Sequence, residues 1–257
     1  MSQGNIDHMT IPKQNELYQK QGFCGPLTFC SETQAKQWRS DFYNAIEQSE
    51  IDAKATNKNL SAFHHTYPWA YALCTQTFIL DQISKILQSE NIVLWAMHFW
   101  YKEPGSTTYI PWHQDRDYWP MKPAINATAW VALGECNEEN GCLRLIPETH
   151  HKTFDHVELG AKAAFKKGIT QIDDSKAQNM MMNPGQVVFF NESTVHGSNA
   201  NTSKQARVAC SIRYTLPSVK FIIDDWQGDK ERIKTFLVKG EDTHHLNDDI
   251  NGTVPLH

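Results

Sequence analysis

Apolar residues recur at intervals of three and four from 35 to 46, where Ala35, Trp38, Phe42, Ala45 and Ile46 form one stripe. That is the period of an amphipathic helix. Ser31-Glu32-Thr33-Gln34 just before it reads as a capping box, whose side chains satisfy backbone donors left open at a helix start. A second stripe of Ile79, Leu80, Ile83, Ile86 and Leu87 predicts a helix over about 77–87. From residue 92 the texture changes to short runs bounded by turn residues, at 92–102, 125–133, 142–147, 186–190 and 207–214. These predict strands. The first dozen residues are polar, and a frayed end is expected there.

Helices followed by strands predict a mainly β fold with N-terminal helices packed on one face, a jelly roll or related cupin-like barrel. One domain over 1–257 is expected, with a helical part at about 13–90, a β core at about 92–216 and a tail at 217–257. The polar stretch 148–184 is long for a connection inside a compact domain and reads as a lid. The tail, with His244 and His245, reads as surface wrapping.

Composition narrows the function classes. Apolar residues at 40% and aromatics at 11% supply a sizeable core and argue against disorder. A net charge of -5 without any Lys/Arg block argues against a nucleic-acid partner. Apolar runs are too short to span a bilayer, and Met1-Ser2-Gln3-Gly4 lacks the basic and apolar regions of an export signal. A soluble, cytoplasmic protein acting on a small molecule is expected. The six cysteines form no C-x-x-C pair, so reduced, mostly buried thiols are expected.

His113-Gln114-Asp115 follows a predicted strand, and residues two apart on extended backbone project to the same side. Two histidines and a carboxylate on one face of an octahedral ion, with other positions open, are the ligand set of non-haem iron(II) oxygenases. The second histidine is assigned to His196, just beyond the strand at 186–190. An H-x-D triplet is weak by itself, and a lone histidine is more often structural. His156-Val157-Glu158 is a rival with the same spacing, but it lies in the polar stretch without a rigid strand beneath it. His150-His151 reads as surface.

Arg207, eleven residues after His196, can return along an adjacent strand and offer a planar fork to the distal carboxylate of 2-oxoglutarate. On that strand Arg207, Ala209, Ser211 and Arg213 share a polar face, while Val208, Cys210, Ile212 and Tyr214 share an apolar one. The bland alternative is surface arginines on an edge strand. Thr128 and Trp130 likewise face together and suit an oxoglutarate pocket, although a tryptophan at this spacing is more often core. Tyr118, Trp119, Arg213, His98 and Tyr109 are candidates for contact with a small polar substrate. Two other readings stay open: a non-catalytic metal-binding jelly roll, and a cofactor-free cupin-type dioxygenase that would not need Arg207.

The strings Trp112-His113-Gln114-Asp115, Tyr118-Trp119-Pro120, 128–133 (TAWVAL), 140–147 (NGCLRLIP), Pro184-Gly185 and His196-Gly197-Ser198, with Arg207, resemble the phytanoyl-CoA dioxygenase family. The similarity runs from about Tyr18 to about Lys239. It implies a double-stranded β-helix with iron(II) on His113, Asp115 and His196. It also implies 2-oxoglutarate held by Arg207 with Ser198, Thr128 and Trp130, and O2 as the further co-substrate. Implied too is hydroxylation of an unactivated C–H bond with release of succinate and CO2. Substrates of similar proteins include aminoalkyl phosphonates, amino acids and secondary-metabolite intermediates. Asp115 occupies the position that is a small residue in related halogenases, which points to hydroxylation. Pro147-Glu148-Thr149-His150 departs from the family's usual Pro-Gly-Ser-His.

Overall fold

The structure is a computed structural model that describes residues 11–49, 60–160, 163–224, 226 and 228–255. Its helical part comprises α1 (Ile11–Gln21), α2 (Glu32–Gln48), α3 (Pro68–Cys74) and α4 (Thr77–Leu87), with β1 (Phe23–Thr28) between the first two. There follow β2 (Ile92–Lys102), β3 (Ile110–His113), β4 (Met121–Lys122), β5 (Ala127–Ala132) and β6 (Leu143–Leu145). β7 (Val157–Glu158), β8 (Lys167–Gly168) and β9 (Gln178–Met180) lie in the polar stretch. β10 (Gln186–Asn191), β11 (His196–Ser198), β12 (Arg207–Thr215), β13 (Lys220–Phe221) and β14 (Phe236–Lys239) complete the chain.

The strands build a six-stranded sheet in the order β1-β10-β5-β12-β2-β14 and a four-stranded sheet in the order β3-β11-β6-β9. Trp130, Ala132, Val188, Phe190 and Ala209 of the larger sheet pack with Leu143, Leu145 and Met180 of the smaller, closing a jelly roll. The other face of the larger sheet is buried under helices. Ala35, Trp38, Phe42 and Ala45 of α2 and Ile79, Ile83 and Ile86 of α4 meet Phe99, Val131, Phe189 and Cys210 there. Phe42 stacks on Phe99 with ring centroids 4.6 Å apart. Ser31 caps α2 by accepting from the Gln34 amide at 3.2 Å.

Pattern and structure part in several places. Residues 1–10 of the predicted frayed end lie outside the described residues, and 11–21 are helical. β1 escapes prediction because Gly25 and Pro26 interrupt it, which a strand at a sheet edge tolerates. β3 and β11, of four and three residues, are too short for alternation to register. The polar stretch is not a plain connection, since β9 is the outer strand of the smaller sheet and β7 pairs with β8. Nor does the tail only wrap the surface: β14 joins the larger sheet and Phe236 enters the helix-side core.

All six cysteines are free, and all but Cys30 are buried. Among the described residues no helix is long and apolar enough to cross a membrane.

Candidate active site

His113 closes β3, His196 opens β11, and the two are direct cross-strand partners. Paired strands run about 4.8 Å apart, so the imidazoles stand side by side, with ring centroids 4.1 Å apart. Gln114 stays extended before the short helical turn that begins at Asp115, returning that carboxylate to the side of His113. Asp115 Oδ1 lies 3.4 Å from His113 Nε2 and 3.8 Å from His196 Nε2. All three side chains are buried, and their ligand atoms lie within 4.8 Å of one another.

The backbone fixes both tautomers. His113 Nδ1 donates to Pro111 O at 2.8 Å, and His196 Nδ1 donates to Thr194 O at 2.9 Å. Each Nε2 lone pair therefore faces Asp115, the orientation a metal ligand needs. Burial, then the neighbouring His113, push His196 down to about 3, so it is neutral at physiological pH. Burial raises the Asp115 carboxyl, but His196, Arg213 and His113 outweigh it and hold the group well below the usual carboxylate range. Three electron-rich atoms thus converge, and Asp115 Oδ2 is buried with no hydrogen-bond partner among the described residues. Such a set repels itself until a cation sits among it, so the residues fit a divalent metal.

A cavity leads from these ligands to Arg207, lined by Trp100, Trp130, Phe190, Ser198 and Ser211 among others. Arg207 is 1% exposed. Its guanidinium donates to Trp100 O at 3.4 Å and lies over the Trp130 ring at 5.4 Å, while Nε has no partner among the described residues. A buried cation without a counter-charge is costly, and an anionic ligand would relieve that cost. Ser198 and Trp130 stand in this lining as expected from sequence. Thr128 does not: it is wholly buried and accepts from Asn126 Nδ2 at 3.2 Å.

The expected substrate residues divide. Arg213 lines the cavity, its guanidinium 4.9 Å over Trp119 and its Nε 3.9 Å from Asp115 Oδ2. The Tyr118 ring is 6.0 Å from His113, and its hydroxyl donates to Lys167 O at 3.1 Å. His98 is half-buried with Nδ1 2.6 Å from Ser61 Oγ; burial, then Arg213 and Arg232, push it down to about 3. Tyr109 is an exposed side chain that meets the polar stretch through its carbonyl, which accepts from Ala164 N at 3.0 Å.

Among the described residues the rival pair joins no converged ligand set. His156 Nε2 accepts from the Gln114 amide at 3.1 Å, its Nδ1 lies 3.1 Å from Asp117, and Glu158 sits 3.9 Å from Lys167. The His150 and His151 rings lie 3.7 Å apart, tilted by 40°.

Sequence reasoning missed Phe165, Lys102 and Glu192. Phe165, from the polar stretch, stands edge-on to His113 at 4.8 Å and 88°. Lys102 is the cross-strand partner of Arg207 and donates to Ser198 O at 3.4 Å and to Asn199 O. Burial and Arg207 push its ammonium down to about 6. Glu192, which accepts from Asn126 N at 3.3 Å, is pushed up to about 7, chiefly by burial. The inward parity of Lys102 on its strand was the one available signal; Phe165 and Glu192 carried none.

The family profile described as Phytanoyl-CoA dioxygenase (PhyH) matches residues 18–209. A probable phytanoyl-CoA dioxygenase of Caenorhabditis elegans is 31% identical over 159 residues, covering 57% of this chain and 51% of its own. The peroxisomal phytanoyl-CoA dioxygenase of Homo sapiens is 32% identical over 164 residues, covering 59% and 47%. The chain thus spans about half the length of these relatives. Among solved structures, the apo form of the non-heme monooxygenase ThoJ matches with a TM-score of 0.78 at 21% identity, covering 94% of this chain and 88% of ThoJ. CytC3 with Fe(II) and alpha-ketoglutarate matches with a TM-score of 0.67 at 19% identity, covering 97% and 98%. At such identities these likenesses speak to the jelly-roll fold.

Proposed function

Because the chain belongs to the phytanoyl-CoA dioxygenase family, we propose that it is a non-haem iron(II) oxygenase that consumes 2-oxoglutarate and O2. In this reading it hydroxylates an unactivated C–H bond of a small polar metabolite and releases succinate and CO2, with residues 1–257 acting as one catalytic unit. The observation that carries the reading is one cavity with three converged donor atoms at one end and the buried, uncompensated Arg207 at the other.

His113, Asp115 and His196 would hold the iron, which when bound supplies the oxygen-activating chemistry. Three protein donors leave coordination positions for co-substrates, whereas a structural zinc site would fill all four. Among the described residues no fourth donor joins the trio. Arg207 grips the far carboxylate of oxoglutarate through its fork, and the faces of Trp130 and Trp100 confine the chain between its two ends. Phe165 and Tyr118 cover the metal side and exclude water.

Anaerobic titration with iron(II) should give a visible charge-transfer band only after oxoglutarate is added. Arg207→Met should weaken oxoglutarate binding by about ten- to a hundredfold, as expected for losing a charge-assisted fork. Unchanged succinate release at limiting oxoglutarate in that variant would contradict the assignment.

A further inference from the structure

The cavity holds a second cation for which oxoglutarate has no use. The Arg213 side chain is 13% exposed, and its ionic contact is the 3.9 Å approach of Nε to Asp115 Oδ2, beyond hydrogen-bond range. Its position is nonetheless rigidly prepared. The guanidinium lies over Trp119, and Trp119 is propped edge-on by Trp95 at 5.1 Å and 77°. Trp95 is anchored in turn by an indole N–H that donates to Asn126 Oδ1 at 2.8 Å. Trp95 is the extra residue of a β-bulge, since Arg213 pairs with Ala96 while Tyr214 pairs with Leu94. Bulges beside active sites re-aim side chains, and this one sets the shelf on which Arg213 rests.

A neutral donor shares that inner face. His98 sits opposite Ser211, two residues from Arg213 along β12. Ser61 Oγ accepts from Arg232 at 3.4 Å and lies 2.6 Å from His98 Nδ1. With Ser61 Oγ already accepting from Arg232, its own proton is used only if the hydroxyl donates to Nδ1, which puts the imidazole proton on Nε2. That Nε2 is buried and has no partner among the described residues. Arg232 has its own counter-ion in Asp229 at 2.7 Å and adds no uncompensated charge.

Charge balance then points to a ligand. A divalent iron, Arg207 and Arg213 against Asp115 leave three positive charges, and oxoglutarate removes two. Resting on the oxygenase reading above, we infer that the substrate carries an oxyanion, bound by the outer fork of Arg213 with His98 Nε2–H beside it. Arg213 is then the specificity-determining residue, holding the substrate by its charged end so that a C–H bond faces the metal. A fork on an aromatic shelf suits carboxylate and phosphonate alike.

The experiment uses the full chain loaded anaerobically with iron(II) and oxoglutarate, whose visible band reports the filled centre without turnover. Failure of that band to form would sink the oxygenase reading itself. With the band present, small carboxylic acids and their methyl esters, and phosphonic acids and their diesters, are titrated while the band is followed. Succinate release over the substrate-free background is then measured in air. We expect band shifts and stimulation from acids and none from esters, the stronger acid class showing which oxyanion is taken. Arg213→Gln should weaken the acids' effect by about ten- to a hundredfold, and Arg213→Lys should restore part of it. The inference is overturned if esters act as well as acids, or if no acid shifts the band. It is also overturned if Arg213→Gln lowers iron and oxoglutarate affinity yet leaves the preference for acid over ester intact, the behaviour of a residue that only positions Asp115.

Discussion

Glu148 sits at a φ of 63° in the loop after β6, in the left-handed region that favours glycine. The left-handed region costs a side-chain-bearing residue about 1–2 kcal/mol, and a glycine there loses about 0.5–1 kcal/mol of that advantage through its freer unfolded chain. Glu148 is exposed, so little else offsets the strain. Glu148→Gly should therefore stabilise the protein by up to about 1 kcal/mol, read as a raised urea midpoint. The loop keeps its course because Thr149 Oγ1 donates to Ile146 O at 2.7 Å and accepts from Val195 N at 2.9 Å, next to His196. At this scale the convergence of His113, Asp115 and His196 and the inward direction of Arg207 were legible in sequence, because H-x-D spacing and strand parity fix direction. Depth was not: parity put Thr128 on the inner face, but the hydrogen bond from Asn126 keeps it out of the cavity.

Elements were legible in proportion to their length. The 11-residue β2 and α4 and the 9-residue β12 follow the pattern closely, because many side chains vote for one period. β1 was hidden by Gly25-Pro26, and β14 by its four residues in an otherwise polar tail. The polar stretch had no period to read, yet it is tied down. Ile169 N donates to Trp112 O at 2.7 Å, and Gln114 Nε2 donates to Lys152 O at 2.7 Å. These bonds bring Phe165 over His113. Phe165→Ala should open the metal side to water and raise substrate-free succinate release several-fold, with little change in Tm because the ring is only half-buried. An unaltered background rate would show that the ring is no cover.

Across the whole molecule the two sheets divide the labour. His113, His196 and Asp115 belong to the smaller sheet and its adjoining turn, whereas Arg207, Arg213 and Trp130 belong to the larger. On the proposed function, iron would be held by one wall, but oxoglutarate would need both. In hydrogen exchange, iron alone should protect β3 and β11, and adding oxoglutarate should extend protection to β12. Equal protection of both sheets by metal alone would refute this division. A dicarboxylate gripped at each end is a rung joining two uprights, and a ligand that favours the folded form shifts the folding equilibrium by mass action. On the proposed function, starvation for oxoglutarate would then shorten the life of this protein as well as idle it, tying its abundance to the supply of that acid.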